Sequence, residues 1–193
     1  MDSIQVRASN MPQTSGHTIV NFGDLISAHA NKGAYSNNIR GIFIGGSTTD
    51  NMDYVTIASD GNGIDFGNLT QSRGYSPGTS SSTRGLCLGG WAGSNPPSNI
   101  IDYVEIMTLG DALDFGDLFT GRYSGSQFSS PTRAFVFAGS SSNDGTKVGS
   151  IEMVTISSKG NATDFGDAAI LSTYHQNGSS SSTRGIMAGG YNP

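Results

Sequence analysis

Charge is scarce in this chain. Only 13% of its 193 residues are charged, its lysines are Lys32, Lys147 and Lys159 alone, and its formal net charge is −5. Nucleic-acid binding needs a basic footprint to neutralise phosphates, and the sequence has none. Cysteine is scarcer still. The lone cysteine, Cys87, sits inside an apolar strand, so it reads as a small core residue and disulfides do not hold this fold together. No basic segment followed by an apolar run marks a secretion signal. No apolar run approaches the roughly 20 residues that a membrane helix requires, so membrane insertion is not expected. Hydrophobic residues make up 35%, a fraction that disordered chains also reach. Regularly spaced runs such as Ile42-Phe43-Ile44 and Phe135-Val136-Phe137 argue for order, as many short strands joined by Gly/Ser/Asn turns.

What the chain does have is a repeat. Four arginines each open a short apolar strand that ends in small residues: Arg40-Gly-Ile-Phe-Ile-Gly-Gly46, Arg84-Gly-Leu-Cys-Leu-Gly-Gly90, Arg133-Ala-Phe-Val-Phe-Ala-Gly139 and Arg184-Gly-Ile-Met-Ala-Gly-Gly190. Successive arginines are 44, 49 and 51 residues apart, and the interval from Arg184 through the C-terminus and back in to Arg40 is 49. A linear array has no reason to make the wrapped interval one more repeat long; a closed ring does. Downstream of each arginine strand comes an alternating one, at Met52–Ile57, Ile101–Ile106 and Ile151–Ile156, with Met1–Val6 as the remaining copy. Period-two alternation of this length predicts half-buried strands. A third element carries Asp-Phe-Gly or Asn-Phe-Gly, around Phe22, Phe66, Phe115 and Phe165, and is joined to the second by turns such as Asp60-Gly-Asn-Gly63. A Ser/Thr-rich segment, for example 75–83, supplies a fourth strand before the next arginine. That phenylalanine precedes the next arginine by 18 residues in three copies and 19 in the last, which predicts a rigid crossing between repeats.

Four strands per repeat, this period, and Gly-Gly after an apolar strand are the pattern of a propeller blade. The repeat resembles that of kelch-like propellers, over essentially the whole chain, with Phe in place of the tryptophan usual in the kelch outer strand. The predicted fold is therefore all-β: a four-bladed kelch-like β-propeller in one domain, residues 1–193. The blades are expected at about 28–70, 71–119 and 120–169, with a seam blade made of 170–193 plus 1–27. Pairing of N- and C-terminal strands in that blade closes the ring and removes a free sheet edge; the alternative is pairing between chains in a swapped oligomer. The wording Asp-Phe-Gly-Asp-Leu and Ser-Ser-Ser-Thr-Arg-Gly is also similar to repeats in virion and tail proteins of marine cyanobacterial phages. That resemblance implies a virion location on the capsid or tail exterior. It also implies other virion proteins as partners, with a host surface glycan or protein as a further one.

Residues present in every copy are best explained by building the blade, and residues unique to one copy are freer to serve a ligand. The four strand-opening arginines therefore read as structural bonds to neighbouring blades or carbonyls. The Asp-Phe-Gly copies lack the phosphate loop, strand lysine and catalytic loop of a kinase. Asp60, Asn62 and Asp65 lack the downstream glutamate of a calcium loop and read as turn residues bonding local backbone. His17, His29 and His175 show no short metal-ligand spacing. No cofactor and no enzyme chemistry are expected; the alternatives are a propeller enzyme acting on polysaccharide, or a stand-alone glycan-binding lectin.

Loop variation is the better signal. The connection after Gly-Gly is five residues in the Arg40 repeat (47–51), ten in the next (91–100) and about eleven after that (140–150). The two longer loops are predicted to share a face, and the first holds the only tryptophan, Trp91. Arg73 and Arg122 follow their blade phenylalanines by seven residues, a position His29 holds in the first repeat. By resemblance to kelch-type propellers, these arginines line the channel mouth and meet acidic partners. The expected recognition surface is Trp91, Arg73, Arg122 and His29; the competing reading pairs the arginines with carboxylates such as Asp117. The Asn10–Thr14 insertion is expected to project from the opposite face as an assembly contact.

Overall fold

The structure is a computed structural model that describes residues 21–47, 49–93, 96–169, 171 and 174–191. The predicted strand Met1–Val6, the Asn10–Thr14 insertion and His17 lie outside these residues. The described chain is all-β. Its strands are β1 (Gly33–Ser36), β2 (Arg40–Ile44), β3 (Asn51–Thr56), β4 (Ile64–Asn68), β5 (Gly78–Ser80), β6 (Arg84–Gly90), β7 (Ser98–Glu105), β8 (Leu113–Asp117), β9 (Ser126–Ser129), β10 (Arg133–Phe137), β11 (Ser150–Thr155), β12 (Thr163–Asp167), β13 (Tyr174–Ser180) and β14 (Gly185–Tyr191). They form three four-stranded antiparallel sheets, β1–β4, β5–β8 and β9–β12, and the β13–β14 hairpin. Each four-stranded sheet runs in sequence order from the Ser/Thr-rich strand, through the arginine strand and the alternating strand, to the Asp-Phe-Gly strand.

The alternation predicts which faces are buried, and the sheets bury them against one another. One core cluster joins Tyr35, Ile42, Ile44, Met52 and Phe66 of the first sheet to Cys87, Val104 and Ile106 of the second. A second cluster joins Leu86, Leu88, Ile101 and Phe115 to Ala134, Val136, Val154 and Ile156 of the third. The second sheet therefore contributes its two faces to different cores, which is why its middle strands are apolar on both sides. The Ser/Thr-rich strands are the inner ones: β1 touches β5, β5 touches β9, and β9 touches β13.

Three repeated devices stitch neighbouring sheets. At the inner strands, the Ser80 hydroxyl donates to the Ser36 carbonyl (2.7 Å), Ser129 to Ser80 (2.8 Å) and Ser180 to Ser129 (2.6 Å). In the middle, Arg40 Nη1 donates to the Ile106 carbonyl (3.0 Å) and Arg84 Nη1 to the Ile156 carbonyl (2.8 Å). Each guanidinium also lies 4.6 Å over a ring of its own sheet, Tyr54 or Tyr103. Arg40 and Arg84 are thus inter-sheet bonds, as the recurrence of the strand-opening arginine implies. At the outer edge, Gly61, Gly110 and Gly160 N–H groups donate to the carbonyls of Phe22, Phe66 and Phe115. Asn62, Asp111 and Asn161 side chains accept from the N–H groups of Asp24, Asn68 and Asp117. Asn62 therefore bonds the adjacent repeat rather than local backbone, which corrects that expectation for it, whereas Asp65 Oδ1 does accept from the local Gly67 N–H (3.1 Å). This close joint requires the glycine of Asp-Phe-Gly. Gly67 and Gly116 have φ of +136° and +146°, and a Cβ on either would collide with the facing turn at Gly110 or Gly160.

Packing size follows the same logic. A Cβ on Gly85 would fall into the Tyr35 ring, and one on Gly185 into the Phe128 ring. In the second sheet the corresponding inner-strand position is Thr79, and the residue after the next arginine is Ala134 rather than glycine. A smaller side chain on one sheet goes with a Cβ on the next.

Candidate binding face

Each alternating strand carries an acid directly after a register shift: Asp53, Asp102 and Glu152 follow irregularities at Met52, Ile101 and Ile151. Such a bulge re-aims one side chain, and all three acids are buried. A buried carboxylate is costly unless it is bonded and paired. Asp102 accepts from Thr70 N (3.1 Å) and Thr70 Oγ1 (2.6 Å), and pairs with Arg73 Nη2 at 2.9 Å. Glu152 accepts from Phe119 N (2.5 Å) and Thr120 N (3.1 Å), and pairs with Arg122. Every one of these donors lies on the crossing from the preceding sheet, so the acid ties that crossing down.

Arg73 and Arg122 are both 0% exposed. The expectation that their guanidinium groups face an acidic partner is corrected: a cation that leaves water takes its counter-charge with it, and here the counter-charge is internal. The partner is also not Asp117 but the acid on the next sheet's alternating strand. Arg122 is fully bonded, donating from Nε to Thr120 O (3.4 Å), from Nη1 to Ser150 O (2.9 Å) and from Nη2 to Ser150 Oγ (2.9 Å). Burial pulls its pKa below the ordinary arginine value, and the Glu152 carboxylate opposes that pull. Arg73 donates to Asp102 and to Cys87 Sγ (3.6 Å), while its Nε and Nη1 have no hydrogen-bond partner among the described residues.

In the first sheet Asp53 pairs instead with Lys32 Nζ, at 3.6 Å. Simple counting from Phe22 points to His29, but His29 is exposed and the lysine three residues on reaches the acid. Sequence reasoning missed Lys32, although the signal was present. An acid at the Asp102 position needs a nearby cation, and besides His29 the only one in 21–39 is Lys32.

These buried pairs hold a cluster of aromatic side chains above them. The Arg73 carbonyl accepts from Gly46 N (3.2 Å) and the Arg122 carbonyl from Gly90 N (2.8 Å), fixing the Gly-Gly turns. Next to Arg73, Gly74 exchanges backbone bonds with Trp91 (3.0 and 2.7 Å); next to Arg122, Tyr123 does so with Ser140 (3.0 Å each). Tyr75 N donates to the Asn31 carbonyl and Ser124 N to the Tyr75 carbonyl, both at 2.9 Å. Asn31, Tyr75 and Ser124 thus form a chain around the inner strands, all left-handed, with φ of 65°, 54° and 52°. For a side chain as bulky as tyrosine this conformation costs on the order of 1–3 kcal/mol, which the surrounding bonds must hold in place.

The Tyr123 ring lies 5.4 Å from Trp91 at 60° and 6.0 Å from Tyr75 at 68°. Tyr75 is 43% exposed, and Trp91 and Tyr123 are half-buried. The Tyr123 hydroxyl donates to the Ser142 carbonyl (3.4 Å) of the longest loop. In that loop Ser142 and Thr146 bond the Asp144 carboxyl and hold its pKa below the usual carboxylate value. On the same face the first sheet presents His29 beside the Gly46 turn, where Ser47 Oγ donates to Ala30 O (3.1 Å). Of the four expected site residues, then, Trp91 and His29 lie at the surface of this face, and Arg73 and Arg122 lie beneath it. Tyr75 and Tyr123 were not singled out from sequence. Both lie within two residues of a singled-out arginine, and the spatial meeting with Trp91 comes only from the fold. Among the described residues no three His, Cys, Asp or Glu side chains are grouped to hold a metal ion. Compared with known proteins, the sequence matches no family model and no curated protein.

Proposed function

We propose that this chain is a non-enzymatic binding and structural module, a closed four-bladed propeller displayed on a virion exterior. It contacts other virion proteins through its body and a host surface glycan or protein through the aromatic face. The observation that carries the reading is the Tyr75–Trp91–Tyr123 cluster. Three large rings are held at the surface by rigid backbone bonds, above cations that are already neutralised. Rings kept partly in water at a loop face are the residue type on which binding energy concentrates. The virion assignment rests on the likeness of the Asp-Phe-Gly-Asp-Leu repeats and on the surface rich in uncharged polar residues. The experiment is binding of the intact protein to host cells and to purified particles, with Trp91→Ala expected to lose the first and keep the second. Host binding that is unchanged in Trp91→Ala moves the function to another face.

Closure is supported by the two ends of the serine ladder. The Ser36 hydroxyl has no hydrogen-bond partner among the described residues, and the Ser180 carbonyl is the next acceptor in the series. A cavity of about 520 Å³ between the third sheet and the hairpin is lined by Phe128, Phe135, Phe165, Arg133 and Arg184, among others. Between the other sheets the equivalent space holds Val104 and Ile106, or Val154 and Ile156. By repeat position their counterparts are Ile4 and Val6. Paired cysteines at Ser36 and Ser180 are expected to be bridged within one chain by a short thiol cross-linker, as paired cysteines at Ser80 and Ser129 are. Cross-linked dimers mean the seam is shared between chains, and bridging of the control pair alone means the arc is open.

A further inference from the structure

We propose that Tyr75, Trp91 and Tyr123 form a trough for an uncharged sugar ring, so that the ligand is a neutral glycan rather than an acidic polymer or a nucleobase. The proposal rests on the binding-module reading and narrows its ligand. Its first support is ring geometry. The outer two rings are inclined at 60° and 68° to the middle one, so their faces form an angular wall. A planar base stacks between parallel faces. A puckered pyranose instead presents C–H groups in several directions, and inclined electron-rich faces meet them.

The second support is electrostatic. An acidic glycan needs exposed cations, and the two guanidinium groups nearest the trough are buried and spent on Asp102 and Glu152. The lysine of the first sheet is paired with Asp53 in the same way. The groups that surround the rings are neutral hydrogen-bonding ones: the Asn31 and Ser124 side chains on the left-handed chain, Ser47, and the Ser141, Ser142 and Thr146 hydroxyls of the longest loop. The Asp144 carboxylate at that rim repels an anion and accepts from a sugar hydroxyl, and Lys147 of the same loop, whose backbone pairs with Ser140, is already engaged within the protein. The third support is rigidity. Tyr75 is held left-handed by backbone bonds on both sides and Trp91 by a pair of bonds to Gly74, so little ordering remains to be done on binding.

Trp91 is the only tryptophan, so its emission reports this trough alone. The test titrates the intact protein with neutral oligosaccharides (gluco-, manno- and galacto-configured) and with oligogalacturonate as the acidic probe. A saturable emission change is expected with at least one neutral series and not with the acidic one. Tyr123→Ala and Tyr75→Gly, the latter suited to the left-handed backbone, are each expected to weaken that binding by roughly tenfold. Calorimetry on Trp91→Phe checks binding without the reporter and is expected to show a smaller loss. Saturation by the acidic probe alone, or neutral binding that is indifferent to Tyr75→Gly and Tyr123→Ala, overturns the proposal. If no saccharide moves the emission while host-cell binding still depends on Trp91, the neutral-glycan assignment fails and the binding-module reading stands. If neither is seen, both fail.

Discussion

The joint between the second and third sheets and the joint beyond the third sheet are built from the same repeat positions, yet they end differently. At the first, Phe115 is 2% exposed and Gly116 is pressed against the Gly160 turn. At the second, Phe165 is 56% exposed, and no described residue lies within 4 Å of where a Cβ on Gly166 would stand. The arginine strand shows the same contrast: β6 is buried along most of its length, whereas β14 is exposed throughout. The lesson is that an Asp-Phe-Gly strand is not buried by its own sheet. It is buried by the hairpin turn and alternating strand of the next one, so each repeat borrows half of its core from its successor.

The largest expected effect tests that borrowing directly. Phe115→Ala is expected to cost about 3–5 kcal/mol in denaturant unfolding. With the ring closed through residues 1–6, Phe165→Ala costs a similar amount; a loss below about 1 kcal/mol means that its joint stays open. Of comparable size is Glu152→Ala, which leaves the Arg122 guanidinium buried without its acid and is expected to cost about 3–5 kcal/mol. Asp53→Ala is expected to cost less, because the Lys32 pair is longer at 3.6 Å and includes no hydrogen bond from Lys32 Nζ among the described residues.

Next come the glycines. Gly116→Ala combines an unfavourable φ with a backbone collision and is expected to cost about 1–3 kcal/mol or more. Gly166→Ala matches it in a closed ring and carries only the conformational part in an open one; paired thermal melts separate the two.

The smallest effect is alkaline. Burial raises the pKa of Cys87, with the Arg73 guanidinium opposing, and raises that of Tyr35 well above the ordinary tyrosine value. Above a thiol's ordinary pKa of about 8.5 the unfolded chain gives up a proton that the folded chain keeps, so stability falls as pH rises. Cys87→Ala is expected to flatten the start of that fall, whereas the later part near Tyr35 remains. Thiol reagents are expected to modify Cys87 only as fast as the protein opens.

Much of the fold was legible because the repeat writes the same instruction several times. The Arg-Gly strand, the alternating strand and Asp-Phe-Gly recur in the same order, and in the three four-stranded sheets each lands on a strand in the same sheet position, whereas the Phe22 copy is in no strand. The structural reading of Arg40 and Arg84 followed from recurrence, and their guanidinium groups do bond neighbouring sheets. The site was less legible. Arg73 and Arg122 were expected at a channel mouth facing acidic partners but lie buried against Asp102 and Glu152, since counting along a chain does not say which way a side chain turns. His29 was assigned by the same counting, and the crossing in the first repeat lets Lys32 reach the acid instead.

By itself the sequence determined the strand content, the repeat length, the order of strands within a sheet and the role of Arg40 and Arg84 in stitching one repeat to the next. These follow from local periodicity and from the steric demands of glycine, which act over a few residues. Only the tertiary structure decided that Arg73 and Arg122 lie under the aromatic face and that Tyr75, Trp91 and Tyr123 meet at its surface. Their meeting depends on how sheets pack side by side, and the desolvation of a guanidinium depends on an acid from a different repeat. Both are set by three-dimensional proximity between segments far apart in the chain, which no local pattern encodes.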